Sequence, residues 1–437
     1  MGSNPITSTA KDKDLGPRVE VLPRRSVVGA AGDGGTVVTT TDQHVGIDLL
    51  AGDFWGGDFH PALTWMREHD PLHWDGRVWG VASYDLVKEV SRQPERFSNA
   101  QGCRPDQPFP MPMMIDTDDP EHIRRRKLVN RGFTPRQVRG SEPAVRAACD
   151  EIIDSVIERG ECDFVTDVAA WLPMIMIGDA LGVAPEDRAR LLEWSDDLVR
   201  GLVGSEGDAL DRATASYVEF RAFAEDAIAR RRAEPTDDLM SVLVHAEVDG
   251  ERLDDESIIH ESLLILIGGD ETTRHVITGG MYQLLVDPDQ RRLLADDPSL
   301  IPTAVEEMLR WVSPIRNMNR TVVADTELAG KQLRAGDKLL LLYPSANRDA
   351  SVFDDPFTFD ATREPNDHVA FGFGTHFCLG NSLARLELVC MFEHLLERMP
   401  DMELVDPTEP RNRPANFVSG YESMPVRFTP GRRRRSG

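Results

Sequence analysis

No stretch of eighteen consecutive apolar residues occurs in this sequence, so nothing in it reads as a membrane span. Paired cysteines are missing too. Cys103, Cys149, Cys162, Cys378 and Cys390 are odd in number and scattered, which excludes a disulfide framework and points to a reducing, cytoplasmic setting. Positive charge is in deficit. The 49 Lys and Arg face 74 Asp and Glu, and the net charge of −25 disfavours nucleic acid and anionic membrane as partners. Internal repeats are absent and strand-like alternation is scarce. What is present is an acidic chain of 437 residues, 41% apolar, with enough material for a large enzyme core.

Residues 1–45 are rich in Gly, Ser, Thr and charge and hold no sustained periodicity, so they are expected to be a disordered leader or sequence upstream of the natural start. Within them, Arg24-Arg25-Ser26-Val27-Val28-Gly29-Ala30-Ala31 faintly resembles a twin-arginine export signal, but its apolar part is short and Asp33 interrupts it. Globular patterning covers 46–430, and 431–437 read as a solvated basic tail. Helical periodicity falls at 61–69, 84–93, 121–131, 142–159, 168–181, 185–203, 209–232, 239–244, 254–285, 302–311 and 379–399. Strands are expected only within 72–81, at 319–323, 327–328, 331–333 and 338–342, and in a hairpin over 418–428. The fold class is therefore mainly α with small β-sheets. Residues 99–119 break the pattern: four prolines accompany Met111, Met113, Met114 and Ile115, an apolar loop suited to a binding wall or to anchoring in the core.

One cysteine stands in unusual company, in Phe371-Gly372-Phe373-Gly374-Thr375-His376-Phe377-Cys378-Leu379-Gly380. A helical pattern follows at once, so Cys378 sits where a loop enters a helix, a place that favours thiolate. Gly372, Gly374 and Gly380 leave room for something flat and bulky. A haem iron with an axial cysteine fits this pattern. A structural cysteine or half of a zinc site is the alternative, although only His376 lies near enough in sequence to assist zinc. The long helix carries a second anomaly, Gly268-Gly269-Asp270-Glu271-Thr272-Thr273. Two glycines inside a helix cost roughly 1 kcal/mol each, and a kinked or widened turn is expected there.

The stretch Phe-Gly-x-Gly-x-His-x-Cys-x-Gly resembles the haem-binding signature of the cytochrome P450 superfamily at every fixed position, and the resemblance extends over about residues 48–430. It implies a triangular helical prism holding haem b between the long central helix and the Cys378 loop. It implies that Cys378 ligates the iron and that Glu271 and Thr272 are the acid–alcohol pair moving protons to dioxygen, the carboxylate being linked to solvent. It implies that His122, Arg126, Arg320 and His376 hold the propionates, and that Glu307 and Arg310 with Arg363 form a structural charge triad. Arg124, Arg125, Lys127, Arg131 and Arg136 make a basic patch, which the resemblance implies is a docking face for an acidic ferredoxin served by a ferredoxin reductase, and which alone reads equally as ordinary solubility charge.

Pro112-Met113-Met114-Ile115-Asp116, the run from Leu264 to His275 and the segment from Arg413 to Val426 resemble family 142 of the actinobacterial enzymes. That resemblance implies oxidation of the terminal side-chain methyl of cholesterol or cholest-4-en-3-one to an alcohol and then an acid. Met113, Met114, Ile267, Gly268 and Val418 would wall an apolar pocket. The same chemistry on a fatty acid or terpenoid, and a haem-binding sensor without turnover, are the rival readings.

Overall fold

Asp254 begins the longest element. Its carboxylate accepts from Ser257 N at 2.8 Å, and Asp255 and Glu256 occupy the first turn, where negative charge meets the positive helix end. The helix Asp255–Val286 then runs for 32 residues. Ile258, Leu266, Ile277 and Leu284 are fully buried along it, and a helix apolar on most sides belongs in the interior. Asp287 closes it and caps the next helix, Pro288–Asp296, by accepting from Gln290 N at 3.2 Å. The helices Trp171–Leu181, Arg188–Val203, Asp208–Ala233, Ile301–Val312 and Asn381–Arg398 pack around this central helix. The computed structural model describes residues 46–104, 106, 110–203, 208–248 and 250–434. The leader with its twin-arginine stretch, Pro105 and Pro108 of the apolar loop, and Arg435 lie outside the described residues.

Two apolar cores share the central helix. Its second half, through Val276, Ile277, Met281 and Leu284, packs with residues of the helices Pro135–Val156, Ile301–Val312 and Asn381–Arg398. Its first half, through Ile258, Ile259, Leu263 and Leu266, packs with Met113, Met114 and residues of the helices from Trp171 to His245. Gly268 and Gly269 fall at the seam between the two. Among the described residues, no helix is long and apolar enough to cross a membrane.

The sheets are small, as the sparse alternation predicts. Five strands run in the order Leu72–Trp74, Trp79–Val81, Lys338–Leu341, Met318–Val322, Phe97–Ser98, with Arg320 opposite Leu339. Three further strands, Glu161–Asp163, Pro425–Arg427 and Glu403–Leu404, form a second sheet with Pro425–Arg427 in the middle. The expected hairpin over 418–428 is therefore replaced. Residues 412–421 fold back through an Asn412–Tyr421 bridge, Val418 bridges to Ile315, and the strand beyond pairs with segments far away in sequence. Strands of two or three residues carry no readable period.

One other expectation changes. The helix expected from 142 starts at Pro135, because Thr134 and Gln137 form a capping box and Pro143 is tolerated inside. The described part of the tail, 431–434, is exposed as expected and makes surface contacts: Gly431 N donates to Ile157 O at 2.9 Å, Arg433 pairs with Glu158 at 3.1 Å, and Arg434 pairs with Asp150 at 3.0 Å. Acids on the helix Pro135–Val156 and just past it attract this basic end.

Candidate active site

The Cys378 loop is shaped by its own backbone. Cys378 N donates to Phe371 O at 2.9 Å and Phe377 N to Gly374 O at 3.1 Å. Gly372 and Gly374 take φ of +72° and +78°, and a Cβ on Gly374 would stand 2.3 Å from Ser91 O. These two glycines are needed for the turn and for close packing, not to clear a shelf. Gly380 does clear one: a Cβ there would meet nothing within 4 Å. The helix Asn381–Arg398 begins three residues past the cysteine, and Asn381 Nδ2 donates to Cys378 O at 2.7 Å. Burial pushes the Cys378 thiol up, while the N–H groups of Gly380 and Asn381 and the charges of Arg126 and Arg385 pull toward thiolate. Arg385 is fixed by Glu306, at 2.7 Å from Nε, and Glu306 also lies 3.1 Å from His368 Nε2.

His122, Arg126, Arg320 and His376 come from three distant segments and converge beside this loop. The rings of His122 and His376 lie 4.0 Å apart. Nδ1 of His122 is 3.1 Å from Asp119 Oδ1, Arg126 Nη2 donates to Phe377 O, and Arg320 Nη1 donates to Asn319 O at 2.9 Å. Burial, then the charges of Arg320, His122 and Arg126, drives His376 down to about 2. Burial likewise lowers His122 and Arg320. Nε2 of His376 is buried without a hydrogen-bond partner. Two guanidiniums, Arg126 and Arg320, beside neutral imidazoles and an unpartnered buried nitrogen call for an anion. Together with Cys378 and the open space beside Gly380, this donor set fits an iron porphyrin with its two carboxylates. Among the described residues, no three ligand-bearing side chains converge at Cys378, so the zinc alternative lacks its partners.

The central helix passes the glycine pair unbroken, so the expected widened turn is not there. The two glycines have separate reasons. A Cβ on Gly269 would stand 2.6 Å from Ile177, so this residue lets a helix approach; a Cβ on Gly268 would meet nothing, so this residue leaves space. Thr272 Oγ1 donates back to Gly268 O at 2.8 Å, placing the hydroxyl on the same groove.

Glu271 departs from expectation. It is fully buried rather than linked to solvent, and it pairs with Arg274, with His275 Nε2 at 3.1 Å and with Arg413 Nη1 at 3.0 Å. Asp270 accepts from Ser195 Oγ at 2.7 Å, and burial raises it. Asp196, Asp270 and Glu271 approach one another, but Arg274 reaches all three, so their charge is already met. His275 and Arg274 stand one turn from Glu271 and were readable from helix spacing. Arg413 is 142 residues away and was not.

Glu307, Arg310 and Arg363 form one unit. Arg310 donates to both Glu307 oxygens at 2.7 Å, and Arg363 Nε lies 3.1 Å from Oε2; Glu307 and Arg310 are fully buried. Arg310 also donates to the carbonyls of Asn347 and Pro356 at 2.8 and 2.9 Å, tying the loop before the cysteine to the helix Ile301–Val312. Of the proposed wall, Met113, Met114 and Ile267 share one apolar cluster, on which Leu379 also packs. Val418 is buried apart from it, opposite Ile315. The basic patch is partly neutralised: Arg124 pairs with Glu121 and Glu251, and Arg125 with Glu121. Lys127, Arg131 and Arg136 remain exposed.

Comparison with known proteins agrees with this geometry. Residues 299–421 match the family Cytochrome P450. A steroid C26-monooxygenase of Mycobacterium tuberculosis is 55% identical over 388 residues, covering 88% of this chain and 97% of that protein. A methyl-branched lipid omega-hydroxylase of Mycobacterium bovis is 39% identical over 412 residues, covering 88% of this chain and 95% of that one. A cytochrome P450 of Mycobacterium marinum, solved with pseudoionone, superposes with a TM-score of 0.82 at 34% identity, covering 87% of this chain and 98% of the other. A cysteine loop over a cationic cradle, facing a long helix with a cleared groove, and likeness over nearly the whole length of these relatives lead to one conclusion: the chain belongs to the cytochrome P450 family, whose cofactor is haem.

Proposed function

We propose that this monooxygenase hydroxylates the terminal side-chain methyl of a steroid, cholesterol or cholest-4-en-3-one, first to the alcohol and then to the carboxylic acid. The observation that carries the reading is the 55% identity to a steroid C26-monooxygenase over 97% of that relative. Cys378 would hold the iron, and His122, Arg126, Arg320 and His376 the propionates. Haem bound there supplies the activation of O2, one atom entering a C–H bond and the other leaving as water with two electrons and two protons. The chain's part is to bind the sterol tail, keep water out and deliver those protons. Met113, Met114 and Ile267 offer an apolar wall, with Gly268 leaving the space beside Thr272. Thr272 is the last donor in this reading, and Glu271 its acid, once Glu271 loosens its hold on Arg274, His275 or Arg413.

Electrons would come from a ferredoxin and its reductase, with Lys127, Arg131 and Arg136 as the exposed charges available for docking. The likeness to a lipid omega-hydroxylase favours a second reading, terminal oxidation of a branched lipid. Titration of the ferric protein separates the two. Cholest-4-en-3-one should shift the spin state and be oxidised when ferredoxin and reductase are supplied. A strong shift with branched fatty acids and none with the sterol would select the lipid reading. No turnover with either would leave a haem-binding sensor.

A further inference from the structure

Glu261 is an acid the reaction does not use. It lies on the central helix seven residues before Gly268 and is fully buried. Its surroundings are apolar: Ile258, Leu264 and Ile265 of its own helix belong to, or pack on, the cluster that holds Met113 and Met114. Such a group destabilises a core unless it is partnered. Its Oε1 accepts the backbone N–H of Met114 at 2.7 Å and lies 3.6 Å from Arg125 Nη1, while its Oε2 is buried without a partner.

Arg125 completes the fastening from the neighbouring helix. Its Nη1 donates to Pro112 O at 2.8 Å and its Nε to Glu121 Oε1 at 2.7 Å. Residues 112 and 114 are thus tied, through one carbonyl and one N–H, to a charge pair joining the helices Glu121–Val129 and Asp255–Val286. Pro110 and Pro112 have no N–H to give, which limits what the loop can supply to itself. Other bonds hold the carbonyls and the flanks: Asp116 N donates to Met113 O at 3.1 Å and Thr117 Oγ1 to Met114 O at 2.8 Å, Asp116 accepts from Cys103 N and Met111 N at 2.8 and 2.9 Å, and Asn99 donates to Ile115 O at 3.0 Å. Helix geometry says what the fastening controls. Residues seven apart share a face, about 10 Å along the axis. Glu261 therefore shares the face of Gly268, and Thr272 lies one turn further on.

We propose that Glu261, with Arg125, is a positioning pair for substrate selection: it holds Met113 and Met114 at a fixed place along the central helix, and so sets the length of the apolar chamber that presents one terminal methyl. This rests on the reading of Met113 and Met114 as substrate wall.

The test uses the holoenzyme. Glu261→Leu should speed amide exchange in residues 110–116 by about tenfold. It should weaken cholest-4-en-3-one binding, read from the spin shift, by about fivefold, and change imidazole binding at the haem by no more than about twofold. Glu261→Gln keeps an acceptor for Met114 N–H and should recover most of both effects. Wild-type exchange or unchanged sterol affinity in Glu261→Leu overturns the proposal. Met113→Ala separates it from its premise. If Met113→Ala leaves sterol affinity unchanged, the wall reading fails; if it weakens binding while Glu261→Leu does not, the fastening alone fails. Should Glu261→Leu not fold, Arg125→Gln carries the same two measurements, and no change in either overturns the proposal.

Discussion

Thr272 and Glu271 are neighbours in sequence with opposite surroundings. The threonine hydroxyl faces the groove through its bond to Gly268 O; the carboxylate is turned into a cage of Arg274, His275 and Arg413. That contrast makes their variants distinguishable. Thr272→Ala should divert electrons to peroxide with sterol binding unchanged, measured as product formed per NADH consumed. Glu271→Gln should slow turnover by about a hundredfold, the usual scale of a lost proton-transfer group, while the peroxide fraction rises less. Cys378→Ala should abolish the thiolate-type carbon monoxide band of the reduced protein; an intact band would remove Cys378 from the iron.

Elements are held by what their residues omit as much as by what they contain. The central helix carries Gly279 and Gly280 where the helix Ile301–Val312 crosses it, and a Cβ on Gly279 would stand 2.6 Å from Val312 Cγ2. Alanine gains helix propensity of about 1 kcal/mol, but Val312 is stiff and overpacking costs about 1–3 kcal/mol. Gly279→Ala should therefore lower the urea midpoint slightly. The Glu307–Arg310–Arg363 unit joins one helix to the chain leading to Cys378. Glu307→Ala would leave Arg310 buried without its partner, a loss on the order of 3–5 kcal/mol, seen as a lower melting temperature and weaker haem retention.

The whole molecule should carry these buried charges into its response to pH. Burial raises Glu387 from 4.5 to about 8 and Glu261 to about 7. Both bind a proton more tightly folded than unfolded. Their contribution is full below pH 4.5 and is lost as pH rises through 7 and 8. Glu306, held to about 2 by Arg385 and His368 against the cost of burial, acts in the opposite sense: its contribution is present above 4.5 and lost as pH falls through 2. Buried His376 and His60, lowered to about 2 and about 3, act against these acids below pH 6.5, so the clean readout is a difference: the stability of the wild type relative to Glu387→Gln should fall between pH 5 and 8, by at most about 1.4 kcal/mol per pH unit. A slope unchanged in that variant would move the effect to other groups.

Sequence alone determined the cysteine loop, the long helix with its glycine pair, the Glu307–Arg310 spacing and the mainly helical class, because each is written in residues close together in the chain. Local order could also place Arg274 and His275 beside Glu271. Only the tertiary structure decided that Arg413 reaches the same carboxylate, that Glu261 accepts from Met114 N, and that the basic tail pairs with Asp150 and Glu158. It also decided that Gly372 and Gly374 serve a turn and that the short strand Glu161–Asp163 exists at all. Periodicity reports which face of an element is buried. It carries no record of which distant side chain will supply the counter-charge, and in this fold the burial of charge is where the site is made.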